Sequence, residues 1–440
     1  MTQQFDIIIV GAGPGGYEVA ARQAAEGKRV LVIEKNKLGG TCLNRGCIPT
    51  KCLCAASSTV EKIAEAPAFG IQVGSVVASY AVAVERAKGV VDSLRAGVDA
   101  ALAKCTVLYG EAVLQPDRTV KVGDDAFTAP LIILATGSTP ASLNIPGADL
   151  AMSSDDFLRL TELPDSLVII GGGVIGLEFA YIANTFGVDV TVVEYCKEIL
   201  PPFDSEVAKR LRGLLSDKGI TFITSAAVTS VAEADGGKFA VSYNDKKGEH
   251  TLTAGGVLMA VGRKAVVPRG AQESGIKLTN RGFIDTDDKF ETSVKGVYAV
   301  GDCNGKLMLA HAATAQAMSV VGEDINLGVV PSAVFTHPEI AGVGLTTQQC
   351  KDSGINYVAK KSLYRANGKA MADGTTDGFV KLLVCPETDA ILGCHILGAH
   401  ASDLIQEATV AMANSLTVKQ LCSHTIFGHP SLSEIIAAAL

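Results

Sequence analysis

The sequence predicts an α/β protein containing two parallel-sheet units of one design. Three observations carry this. First, Phe5-Asp-Ile-Ile-Ile-Val10 is a short apolar run rich in β-branched residues, the pattern of a strand buried on both faces. It leads into Gly11-Ala-Gly-Pro-Gly-Gly16, a helical stretch through Ala25, and a second strand, Arg29-Val-Leu-Val-Ile33, ending at Glu34. Second, the block repeats: Ser166-Leu-Val-Ile-Ile170, then Gly171-Gly-Gly-Val-Ile-Gly176, a helix through Phe186, and strand Asp189-Val-Thr-Val-Val193, ending at Glu194. Third, 440 residues exceed what one core comfortably holds, and 46 glycines favour tight loops over long coiled helices.

Each part of the block has a physical job. Gly11 and Gly13 let the backbone turn and approach a pyrophosphate, Gly16 lets helix and strand pack closely, and the helix N-terminus faces the phosphate charge. Glu34, at the end of its strand, can accept ribose hydroxyls. One such glycine loop is weak support for nucleotide binding, since it can be a mere turn. Two, with Glu34 and Glu194 standing at the same remove from their first glycines, predict two bound dinucleotides. A 2′-phosphate would meet a carboxylate at Glu194, and Tyr195-Cys-Lys-Glu198 offers one lysine but no arginine cluster, so the second unit should take NAD.

Between the repeats lies Gly39-Gly-Thr-Cys-Leu-Asn-Arg-Gly-Cys-Ile-Pro-Thr-Lys51. A dithiol beside a redox cofactor can pass two electrons, so Cys42 and Cys47 read as a reactive disulfide. A metal site is the rival, but the usual zinc site, with about two to four residues between paired cysteines, needs a second pair; Cys52 and Cys54 follow on one helix, pointing apart. A dithiol needs a carrier that takes thiol electrons and hands on a hydride, which a flavin does; the first unit should hold FAD. The remaining cysteines of the eleven are scattered, Cys105, Cys385 and Cys394 in apolar contexts where thiols act as small hydrophobes.

Composition bounds the rest. With 48% apolar and 19% charged residues the chain is an ordinary globular protein. A net charge of -8 without a basic stripe argues against nucleic acid. The apolar runs are too short to span a bilayer, and the amino terminus has no secretory pattern, so a cytoplasmic, reducing setting is expected.

The segment Gly40–Lys51, with the two glycine loops around it, resembles the flavin-dependent disulfide reductases, and among them most closely the lipoamide-linked members. Ala135-Thr-Gly137 is similar to the family's crossover out of the first FAD segment, Ala260-Val-Gly-Arg263 to the return, and Tyr298-Ala-Val-Gly-Asp302 to the second FAD motif. Val330-Pro-Ser-Ala-Val-Phe-Thr-His-Pro-Glu339 resembles the opening of an interface domain, Ala366-Asn-Gly-Lys-Ala370 a lipoamide-enzyme segment, and His429-Pro-Ser-Leu-Ser-Glu434 the carboxy-terminal catalytic motif. Gln316, where the family often has Glu, and Lys264-Ala-Val-Val, in place of a Pro-Asn turn, depart from the pattern.

The resemblance implies an α+β dimerisation domain beyond the two Rossmann-like units. The division it implies is an FAD-binding segment at 1–140, an NAD domain at 141–262, a second FAD segment at 263–330 and an interface domain at 331–440. The activity it implies is oxidation of protein-bound dihydrolipoamide with reduction of NAD, by a homodimer serving a lipoyl domain or glycine-cleavage carrier; reduction of another disulfide or a quinone is the alternative. On the FAD side the implied contacts are Gly11, Gly13, Pro14, Gly15, Gly16, Glu34, Lys35, Gly40, Thr41, Cys42, Lys51, Ala112, Thr136, Gly137, Asp302, Leu309, Ala310 and His311. On the NAD side they are Gly171, Gly173, Val174, Ile175, Gly176, Glu194, Val228, Gly262 and Arg263. The helix opening at Met308–Ala312 is expected to aim at the flavin.

By the same resemblance Cys47 lies against the flavin, Cys42 faces the substrate, and Lys51 pairs with Glu178 near flavin N5. Attack on Cys42 needs a base, because a thiol is mostly protonated at neutrality. His429, oriented by Glu434, fits that role; the plainer reading has His429 capping the last helix. His424 is read as structural, and His395 and His400 as occupants of a strand and a turn. The family pairs the histidine and Cys42 across a dimer.

Overall fold

The computed structural model describes residues 2–440. The first unit is built on a five-stranded, wholly parallel sheet in the order Val297–Ala299, Leu131–Leu134, Ile7–Val10, Val30–Glu34, Thr106–Tyr109. Ile8, Ile9, Ile132 and Ile133 are fully buried, as strands covered on both faces require. Helix Pro14–Ala25 joins the two central strands. A second parallel sheet, in the order Thr221–Thr224, Asp189–Glu194, Ser166–Ile170, Gly256–Met259, repeats the design around helix Val174–Thr185. Both glycine-loop blocks therefore fold as expected, the second helix closing one residue before Phe186.

The chain leaves the first unit and returns to it at one place. Outgoing Ser138–Pro140 and returning Arg263–Ala265 pair as an antiparallel ribbon, so Lys264 continues a strand where the family has a Pro-Asn turn. The carboxy-terminal unit is a five-stranded antiparallel sheet, Ser332–Val334, Glu339–Gly344, Ile391–Gly398, Phe379–Val384, Val358–Leu363, packed on helix Ala401–Ala413. It is the α+β unit expected. Two buried charges fasten it to the second unit: Lys381 in the sheet meets Asp204, which caps helix Ser205–Asp217, at 2.9 Å.

One cysteine departs from expectation. Cys385 is not in an apolar setting; its Sγ lies 3.1 Å from Glu387 Oε2 at a turn. Among the described residues no helix is long and apolar enough to cross a membrane.

Candidate active site

A single cleft of about 2440 Å³ runs through the first and second units and reaches the third. Every cofactor residue expected from the sequence lines it except Gly16 and Gly176. Those two act behind the wall: a Cβ on Gly16 would collide with the Gly11 carbonyl, and one on Gly176 with the Gly171 carbonyl. They permit the loop to fold back on its own helix rather than touching a ligand.

The two halves of the cleft hold their glycine loops identically. Glu34 Oε2 accepts the Ala12 N–H at 2.8 Å and Oε1 the Asn36 N–H at 2.7 Å. Glu194 Oε2 accepts the Gly172 N–H at 2.5 Å and Oε1 the Cys196 N–H at 2.6 Å. Each carboxylate thus staples its strand end to the loop beside it, a task the sequence reading did not assign, and keeps lone pairs over for ribose hydroxyls. Helices Pro14–Ala25 and Val174–Thr185 both start at a glycine with no side-chain cap, which leaves their first N–H groups to a ligand. Nothing lies within 4 Å of where a Cβ on Gly173 would sit. Two open, uncapped, dipole-positive loops in one cleft fit the pyrophosphates of FAD and NAD.

Cys42 and Cys47 form a disulfide, with Cα atoms 4.7 Å apart, where the short helix Gly40–Arg45 gives way to helix Cys47–Glu65. Both line the cleft. One turn along, Lys51 Nζ meets both oxygens of Glu178 at 2.9 Å, joining the first unit to the second. Glu178 is buried (2% exposed) and also accepts the Phe335 N–H at 3.1 Å, while the Phe335 ring lies 4.6 Å from the ammonium. Lys51 is held between a carboxylate and an aromatic face. Phe335 lies in the segment Val330–Glu339, but nothing local in the sequence marks it as the partner of residues so far away. Cys54, beside this pair, has its thiol pushed well up by burial and then by Glu178, so it stays protonated and does not compete with the redox sulfurs.

The cleft lining carries a second network. Ser138 Oγ donates to Asp302, and Arg263 donates to Ser138 Oγ at 2.7 Å and to its carbonyl at 2.9 Å. Gln316 is buried; its Oε1 accepts from Gly301 N at 2.8 Å and Asn304 Nδ2 at 2.9 Å, so an amide suffices to hold the turn bearing Asp302. Helix Ala310–Val320 starts at the cleft, as expected, with His311 Nε2 2.8 Å from the Pro331 carbonyl. Arg45 of the disulfide loop, overlooked in the sequence, pairs with Asp155 at 3.1 Å.

His429 lies outside this cleft, with its side chain 79% exposed, so one chain does not bring it to Cys42. Its Nδ1 is 3.0 Å from Glu434 Oε1, and Glu434 Oε2 accepts the Ser431 N–H at 2.9 Å. The Ser431 N–H and His429 hold the Glu434 carboxyl below its usual range, so it is ionised and can support an imidazolium. The last helix, Glu434–Ala437, starts from Ser433, which removes the helix-cap reading of His429. His424 ends a short helix, His395 is buried in a strand and His400 sits at a left-handed turn; none joins the cleft.

Residues 5–317 match the model described as pyridine nucleotide-disulphide oxidoreductase, and residues 330–440 the dimerisation domain of the same family. The dihydrolipoyl dehydrogenase of Chlamydia pneumoniae is 39% identical over 99% of this chain and 96% of its own. That of Bacillus subtilis is 36% identical over 100% and 98%. Among solved structures, an HOCl-induced flavoprotein disulfide reductase from Escherichia coli superposes with a TM-score of 0.87 at 27% identity, covering 99% of each chain. Fold, cleft, disulfide and full-length similarity agree, and the chain belongs to the pyridine nucleotide-disulphide oxidoreductase family.

Proposed function

We propose that this protein oxidises protein-bound dihydrolipoamide to lipoamide and passes the electrons to NAD, as the names of its dihydrolipoyl dehydrogenase relatives indicate. The observation that carries the reading is the Cys42–Cys47 disulfide set in the wall of a cleft with two dinucleotide loops. FAD, when bound, supplies the relay between the dithiol and NAD; the residues of the first glycine loop with Glu34, Thr41 and Asp302 would hold it, and those of the second loop with Glu194 would hold NAD.

The chain's own residues perform the sulfur chemistry. His429 Nε2 takes a proton from one substrate thiol while Glu434 keeps the ring oriented and stabilises its positive charge. The thiolate attacks Cys42 Sγ; that S–S bond forms as the Cys42–Cys47 bond breaks, and Cys47 leaves as a thiolate. The second substrate thiol then attacks the sulfur bound to Cys42, closing oxidised lipoamide as the Cys42–substrate bond breaks; its proton passes to the departing Cys42 sulfur, and the first proton stays on His429. Lys51, clamped by Glu178 and Phe335, keeps a positive charge on the cleft wall.

Because His429 stands away from Cys42 in one chain, the site is completed across a homodimer through residues 331–440. The segments at 1–140 and 263–330 serve FAD and 141–262 serve NAD. A lipoyl domain or glycine-cleavage carrier, in the cytoplasm, is the partner.

Anaerobic titration with dihydrolipoamide tests the assignment. The oxidised protein is expected to gain two alkylatable thiols, at Cys42 and Cys47, for each oxidised lipoamide formed, and to reduce NAD on its addition. Reduction by another disulfide's dithiol form but not by dihydrolipoamide would reject the substrate.

A further inference from the structure

The stretch Ala366-Asn-Gly-Lys-Ala370 lies on no wall of the cleft, yet one of its residues reaches the histidine loop. Asn367 is 7% exposed, and both ends of its amide are engaged. Oδ1 accepts the Ala370 N–H at 2.9 Å and caps the short helix Gly368–Ala372. Nδ2 donates to the Ser431 carbonyl at 3.0 Å. Ser431 in turn gives its N–H to Glu434 Oε2 at 2.9 Å, and Glu434 Oε1 faces His429 Nδ1 at 3.0 Å. Hydrogen bonds joined through the backbone of Ser431 therefore link the buried Asn367 to an imidazole that is mostly exposed.

This loop needs such support. No helix or strand occurs between Thr425 and Ser433. Its other side-chain tie is Ser433 Oγ, which donates to Glu407 at 2.6 Å. A general base must be held to within fractions of an ångström of its working position, and a polar anchor on a rigid element does this better than an unpinned loop.

We infer that Asn367 is a positioning residue for the His429–Glu434 pair, fixing the Ser431 peptide and through it the carboxylate that orients the base. The inference rests on the proposed dithiol oxidation and adds to it the device that holds its base.

Asn367→Asp isolates the effect. The new carboxylate keeps the acceptor that caps Gly368–Ala372 but loses the donor and sets an oxygen against the Ser431 carbonyl. Both half-reactions are measured anaerobically by rapid mixing: disulfide reduction by dihydrolipoamide, followed by quenched alkylation of Cys42 and Cys47, and reduction of the FAD-loaded protein by NADH, followed by absorbance. The expected result is a roughly 10- to 100-fold slower reaction with dihydrolipoamide and an unchanged reaction with NADH, in both Asn367→Asp and Asn367→Ala. If both half-reactions fall together in both variants, Asn367 merely supports the fold, and the inference is overturned; if neither falls, it is overturned as well. Wild type run alongside separates the two readings. A wild type inert to dihydrolipoamide overturns both, whereas an active wild type matched by Asn367→Asp overturns this one alone.

Discussion

The proposed base, His429, has few neighbours within one chain. Its ring is mostly solvent-exposed and bonded only to Glu434, so its replacement costs the fold almost nothing. His429→Gln is therefore expected to keep its FAD and melting temperature while turnover with dihydrolipoamide drops roughly 100- to 10,000-fold, the range for a lost general base. Steady-state kinetics beside a thermal melt check it, and near-normal turnover would remove His429 from the mechanism. At this scale the sequence was informative wherever a residue's job is local. Cys42, Cys47, Glu34 and Glu194 sit inside short motifs whose spacing states their chemistry. Phe335, Arg45 and Asn367 were not legible, because their partners (Lys51 and Glu178, Asp155, and Ser431) lie far away in sequence and are brought close only by tertiary packing.

The glycine loops give the same lesson for elements, and they separate two roles that one motif confounds. Gly176→Ala would drive a methyl into the Gly171 carbonyl and is expected to disrupt the second unit itself, lowering soluble yield and melting temperature. Gly173→Ala has open space before it and should fold normally, yet weaken NAD binding by intruding where the pyrophosphate approaches. Titration calorimetry with NADH and a thermal melt distinguish them; equal behaviour of the two variants would refute the division. The parallel strands and their helices were readable because buried β-branched runs, glycine loops and acidic strand ends recur in order. The antiparallel meander Ala227–Ala234, Lys238–Asp245, Gly248–Ala254 was not, since its strands are half-exposed and carry no motif.

For the whole molecule the buried contact between the second and third units sets the response to acid. Asp204 is 1% exposed; burial works against its charge, but hydrogen bonds from Thr347 and Lys381 outweigh it and hold the carboxyl far below its usual range. Burial also lowers the pKa of the neighbouring His395 imidazole. Both groups have depressed folded values, so both contribute stability at neutral pH that disappears on acidification: His395 as pH falls below about 6.5, Asp204 as it falls below about 4. Asp204→Asn leaves Lys381 facing only Glu206, at 3.1 Å, and should cost about 3 kcal/mol at neutral pH. Denaturant melts across the acid range are expected to show that gap narrowing below about pH 4; a constant gap would mean the charge on Asp204 contributes nothing.

The antiparallel ribbon of Ser138–Pro140 and Arg263–Ala265 has a consequence for how such a chain can be assembled. Its strands flank the only detour between Leu131–Leu134 and Val297–Ala299, which remain hydrogen-bonded neighbours. The covalent path into and out of the intervening unit passes through that ribbon, while Lys51–Glu178 and Lys381–Asp204 bind the unit to its neighbours. A gene segment spliced at that ribbon parts no strand of the host sheet, so the unit can be exchanged for another whose ends lie equally close and whose surface again meets Lys51 and Lys381.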